Sequence, residues 1–107
     1  MRIEVLYVPY CPHHPPATLT VKEILAAEGV MAEIDEVAVT DLAMAKALRF
    51  CGSPTIRING RDVAGESEGV REFAVSCRLY PGSNQVGVPS AEMIRSAVRD
   101  AKVRENL

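Results

Sequence analysis

The sequence predicts a single α/β domain built from a four-stranded mixed sheet, three helices and an insertion ahead of the last helix. Three observations predict it. Segments of strand-type alternation take turns with segments of helical spacing along the chain. An Asn59-Gly60 pair between two apolar-patterned runs marks a tight antiparallel hairpin. The 107 residues are the size of one ordinary domain, and no linker, repeat or low-complexity tract divides residues 1–107.

Each element has its own signal. Arg2 to Val8 alternates and is rich in branched and aromatic residues until Pro9, which cannot continue a ladder. Ala17, Val21, Ile24 and Leu25 recur at helical spacing, so a helix is expected over Ala17 to Glu28, with Gly29 as its stop. Val30 to Val39 alternates again and predicts the second strand. Thr40 is a candidate N-cap for a short helix to about Arg49 that carries Leu42, Ala45 and Leu48 on one face. Cys51-Gly52-Ser53-Pro54 breaks that helix. Thr55 to Ile58 and Arg61 to Val63 then form the hairpin, because a type I′ turn needs positive φ at both central residues, which Asn and Gly tolerate. Residues 65–88 carry Gly, Ser and Glu around one apolar patch, Phe73 to Tyr80, which fits a strand or a helical turn equally well. Ser90 caps a last helix whose buried stripe is Ile94, Ala97, Val98 and Ala101. A right-handed crossover sets the first two strands parallel, and the hairpin adds two antiparallel ones.

Composition excludes several function classes. Twelve basic against 14 acidic side chains leave a formal charge of −2, so the basic face that a nucleic-acid binder relies on is not expected. No run approaches the roughly 18 apolar residues of a membrane span, and Met1 opens directly into a strand pattern, so a cytoplasmic chain with no membrane partner is expected. Aromatic residues are 5% with no Trp, too few for a base-stacking platform. Three cysteines cannot all pair within the chain, which points to thiol chemistry, metal ligation or core filling rather than a disulfide scaffold.

A strand followed by Pro9-Tyr10-Cys11-Pro12-His13-His14, and a later Gly52-Ser53-Pro54-Thr55 leading into a strand and an Asn-Gly hairpin, resembles the thioredoxin and glutaredoxin superfamily. The resemblance covers nearly the whole chain through its element order. It implies that Cys11 is a nucleophile after the first strand and that Pro54 is a cis-proline lying against it. It also implies that Tyr10, Pro12, Ser53 and Pro54 line a substrate site, with the carbonyl and amide of Ser53 exposed to a substrate strand. The implied activity is thiol-disulfide exchange with a thiol or disulfide partner, protein or small molecule, and no cofactor. The chain departs from the pattern where the redox members carry a second cysteine, since His14 stands there. Cys11 alone would make only a mixed disulfide that another thiol must resolve. His14 would favour the Cys11 thiolate if it came within hydrogen-bond reach. Prolines are best tolerated at a helix start, so a helix opening near Pro16 would leave Cys11 more than a turn from its positive end.

Chain direction carries the expectation further. The first strand ends beside Cys11; the third starts at that end of the sheet, which brings Cys51 and Pro54 there; the fourth finishes there, so the 65–88 excursion leaves from beside Cys11. That excursion holds Cys77, and all three thiols are expected to converge. Convergence permits Cys77, or Cys51, to act as the resolving thiol. It also permits a soft-metal set of Cys11, Cys51, Cys77 and His14, suited to zinc, copper or mercury. The chain is similar to short bacterial thioredoxin-like proteins carrying alkylmercury-lyase-type names, a hint of soft-metal context. Carbon–mercury cleavage would need an acid as well, and Asp62, Glu66 and Glu68 are the nearby candidates. A further alternative is a non-catalytic interaction module that keeps this fold. The plain readings are a core-filling Cys77 between Val75 and Leu79, and a solvated face for Arg61, Asp62 and Arg78.

Overall fold

Alternation along the first strand decides where the core sits. In the computed structural model, which describes residues 1–65, 78, 80 and 87–106, β1 spans Arg2–Tyr7 and pairs in parallel with β2 (Glu33–Ala38) and antiparallel with β3 (Thr55–Ile58). A short β4 (Arg61–Asp62) completes the sheet in the order β2-β1-β3-β4. Ile3 stands opposite Ile58 and Val5 opposite Ile56, so these side chains share one face. That face is covered by α1 (His14–Glu28) through Ala17, Val21, Ile24 and Leu25, and by α3 (Ala91–Glu105) through Ile94, Val98 and Ala101. Each large aliphatic buried this way stabilises the fold by about 1.5–3 kcal/mol. Leu6 points to the other face and packs with Val39, Phe50 and Ala45, the last on α2 (Leu42–Ala47).

The four-stranded mixed sheet and its three helices match the expected element order, and the boundaries that differ have local causes. α1 opens at His14 instead of Ala17, because Pro15 and Pro16 fall in the first turn, where a missing N–H costs no intrahelical bond. β2 begins at Glu33 instead of Val30, because the Val30 N–H is spent on the Leu25 carbonyl, 2.9 Å away, in the left-handed cap at Gly29. The cap of α2 is Asp41 and not Thr40: its Oδ1 accepts the Met44 N–H at 2.8 Å. Asn59 and Gly60 have φ of 51° and 84°, the conformation that the hairpin requires. Ser90 caps α3 by accepting the Met93 N–H at 3.1 Å. Among the described residues, no helix is long and apolar enough to cross a membrane.

Candidate functional site

The parallel β1–β2 pair and the antiparallel β1–β3 pair bring two loops to one end of the sheet, the loop after Tyr7 and the loop before Thr55. They are tied together there, since the Val8 N–H donates to Ser53 Oγ at 3.0 Å. From Val8 the chain turns sharply. The Cys11 N–H donates to the Val8 carbonyl at 3.1 Å, and Tyr10 sits at φ 67°, fully exposed. Cys11 is half-buried with a free thiol, and Pro12 is exposed.

The helix behind Cys11 starts closer than its prolines suggest, yet it offers the sulfur few donors. Cys11 precedes the cap residue His13 by only two positions. The His14 N–H, however, donates to Cys11's own carbonyl at 3.3 Å, Pro15 and Pro16 have no N–H, and the Ala17 N–H goes to the His13 carbonyl at 3.2 Å. The partial positive charge of a helix start resides largely on unpaired N–H groups, so little of it faces the thiol.

The His14 ring is engaged by two side chains outside the Cys11 turn. It stacks on Tyr7, with centroids 3.7 Å apart and planes 5° from parallel, and its Nε2 lies 3.0 Å from Glu36 Oε1 on β2. Thr18, one turn along α1 from His14, donates its hydroxyl to the same oxygen at 2.9 Å. The Thr18 hydroxyl, followed by His14, holds the Glu36 carboxyl below the usual carboxylate range, while partial burial pushes the other way. The tautomer that donates from Nε2 to Glu36 leaves an acceptor lone pair on Nδ1. The neighbouring His13 packs instead against Gly87, where an added Cβ would fall 2.4 Å from the imidazole. Sequence reasoning did not find Glu36, Thr18 or Tyr7 as partners of His14. The four-residue spacing of His14 and Thr18 was a usable signal, whereas Glu36 depends on how β2 and α1 pack.

The second loop is closed off by the chain itself. Ser53–Pro54 is a cis peptide bond, as the family likeness implies. The Ser53 carbonyl is not exposed, however: it accepts the Arg78 N–H at 2.9 Å, and both Ser53 and Pro54 are buried. Gly52, at φ 119°, permits this approach, because a Cβ there would stand 3.0 Å from Arg78 Cβ and 3.2 Å from its Cα. The Tyr80 hydroxyl donates to the Pro54 carbonyl. Arg78 Nη1 meets Asp62 Oδ2 at 2.6 Å and Thr55 Oγ1 at 3.3 Å, and its guanidinium lies 4.8 Å from the centre of the Tyr80 ring. The Arg78 and Asp62 side chains are 3% and 1% exposed, so neither belongs to the solvated face expected of them. A buried charge is tolerated because its partner is held at hydrogen-bond distance, which composition alone does not reveal.

The remaining expected site residues divide by placement. Cys51 is half-buried, and its sulfur lies 3.6 Å from the Arg49 carbonyl. Cys77, Glu66 and Glu68 lie outside the described residues, and with them the expected convergence of three thiols. Among the described residues, no three His, Cys, Asp or Glu side chains gather closely enough to hold a metal ion. The cleft of about 680 Å³ between the β3–β4 hairpin and α3, lined in part by Asn59, Val63, Met93 and Ala97, includes neither Cys11 nor Pro54. No family model matches the chain, and no curated protein matches it.

Proposed function

We propose that the chain is a thioredoxin-like thiol-disulfide exchange protein that works through one loop cysteine, Cys11. One observation carries this reading. A half-buried free thiol sits in the turn after β1, and the hydrogen bond from Val8 to Ser53 fastens that turn to the loop containing cis-Pro54. A turn held from both sides keeps its sulfur in place while leaving it accessible, which is what attack on a disulfide requires.

The chemistry is a single exchange. The Cys11 thiol loses its proton to solvent, and the thiolate attacks one sulfur of a disulfide, forming a Cys11–S–S–R bond as the other sulfur leaves with the electron pair as RS⁻. His14 stands where a second cysteine would resolve that bond, so a second thiol must release Cys11. That thiol is Cys77 or Cys51 from within the chain, or an external one. Treating the reduced protein with diamide and mapping the products by mass spectrometry tests the reading. An intramolecular bridge from Cys11 to Cys77 or Cys51 supports the internal route; a mixed disulfide on Cys11 with an added thiol supports the external one. Modification confined to Cys51 or Cys77, unchanged in Cys11→Ser, would overturn it.

A further inference from the structure

We infer that Arg78 and Tyr80 occupy the edge beside cis-Pro54 where a partner's backbone would pair, so that Cys11 serves low-molecular-weight disulfides that bring no peptide strand. This rests on Cys11 being the exchanging thiol. The main-chain N–H of Arg78 already fills the Ser53 carbonyl at 2.9 Å, and the Tyr80 hydroxyl fills the carbonyl of Pro54. A strand docking there would need one or other of those acceptors.

The covering contacts are built to stay. Arg78 is anchored through its side chain by Asp62 and Thr55, with Arg78 and Asp62 out of water, and it packs so closely on Gly52 that a methyl group there would fit only if Arg78 shifted. Displacing Arg78 would unpair a buried carboxylate and a buried guanidinium together, a heavier cost than one backbone hydrogen bond returns. Among the described residues the Cys11 loop has no such cover: Tyr10 and Pro12 on either side of the thiol are exposed. A small disulfide reaches the sulfur from that side and needs only the exchange already described. The attacking Cys11 sulfur is oxidised to the mixed disulfide, and the departing thiolate carries away the electron pair.

Two disulfides distinguish this inference from the reading beneath it. One is bis(2-hydroxyethyl) disulfide; the other is the disulfide-linked dimer of an unstructured peptide with one central cysteine. The rate of mixed-disulfide formation at Cys11 is measured with each by quenching and peptide mapping, and each rate is divided by that of free N-acetylcysteine amide under the same conditions. The small disulfide should give a normalised rate at least about tenfold above the peptide. Tyr80→Phe, which removes one hydroxyl, and Asp62→Asn, which loosens the Arg78 anchor, should each raise the peptide rate several-fold and leave the small-disulfide rate unchanged. Equal normalised rates in the wild-type protein would overturn the inference while leaving Cys11 as the exchanging thiol. An unchanged peptide rate in both variants would overturn the assignment of discrimination to these contacts. A Cys11 inert toward both disulfides would remove the underlying reading and the inference together.

Discussion

Two loops meet at one end of the sheet, and they are finished in opposite ways. The Tyr10 to His14 side is half open: Tyr10 and Pro12 stand in solvent, Cys11 is half-buried, and the His14–Glu36 pair is partly hydrated. On the Gly52 to Thr55 side all four residues are buried, and the Ser53 carbonyl, the Pro54 carbonyl and the Thr55 hydroxyl each have a partner. The difference comes from residues remote in sequence. Arg78 and Tyr80 bond to the carbonyls of one loop, whereas on the other side Gly87 lies against the His13 ring. Solvent therefore reaches this end of the sheet through the open loop, while the closed loop is held by its own contacts.

The contrast breaks most severely at Asp62. Asp62→Ala leaves the Arg78 guanidinium buried without its carboxylate and should lower the unfolding free energy in urea by about 3–5 kcal/mol. Replacing both partners with apolar residues should cost less than the sum of the single changes, because no charge is then left stranded. A loss under about 1 kcal/mol for Asp62→Ala would mean that the closed side is as hydrated as the open one.

The seam between Gly87 and His13 comes next. Gly87→Ala drives a methyl group into the imidazole and should cost about 1–3 kcal/mol. His13→Ala in the same chain should recover most of that loss, as read by the thermal midpoint of the single and double variants. Failure of the second change to rescue the first would show that Gly87 is constrained by something other than this ring.

The smallest effect is expected at Glu36, on the open side. Its carboxyl is held below its ordinary range, so the folded state binds protons there less readily than the unfolded chain does. The stabilisation is therefore fully present above the unfolded value of about 4.3 and is lost as pH falls toward the lower folded value. Glu36→Gln should cost less than about 1 kcal/mol at neutral pH, since the pair is partly exposed, and should flatten the acid limb of the stability curve. An acid limb identical to that of the wild-type protein would place the pair's contribution at zero.

The scaffold of this site was legible in the chain, and its occupancy was not. Pro9 after an alternating strand located the turn that carries Cys11, and Asn59-Gly60 located the hairpin that orients β3. Both are local signals, written in φ preferences and missing N–H groups. The contacts of His14 were not legible, because one partner of its ring stands on β2, 22 residues away, and the ring stacks on Tyr7. Placing Asp62 and Arg78 on the surface failed for the same kind of reason, since a charged letter carries no mark of whether a counter-charge will be buried with it.

By itself the sequence determined the kinds of element, their order, the helix stops at Gly29 and Ser90's cap, and the position of one thiol just past a strand. Those follow from backbone stereochemistry and apolar periodicity, which act over a few residues. Only the tertiary structure decided which loop at the end of the sheet stays open. Closure of the cis-proline side depends on a guanidinium, a carboxylate and a tyrosine meeting beside a glycine with no Cβ. Such a meeting exists only once packing has removed water from all of them together.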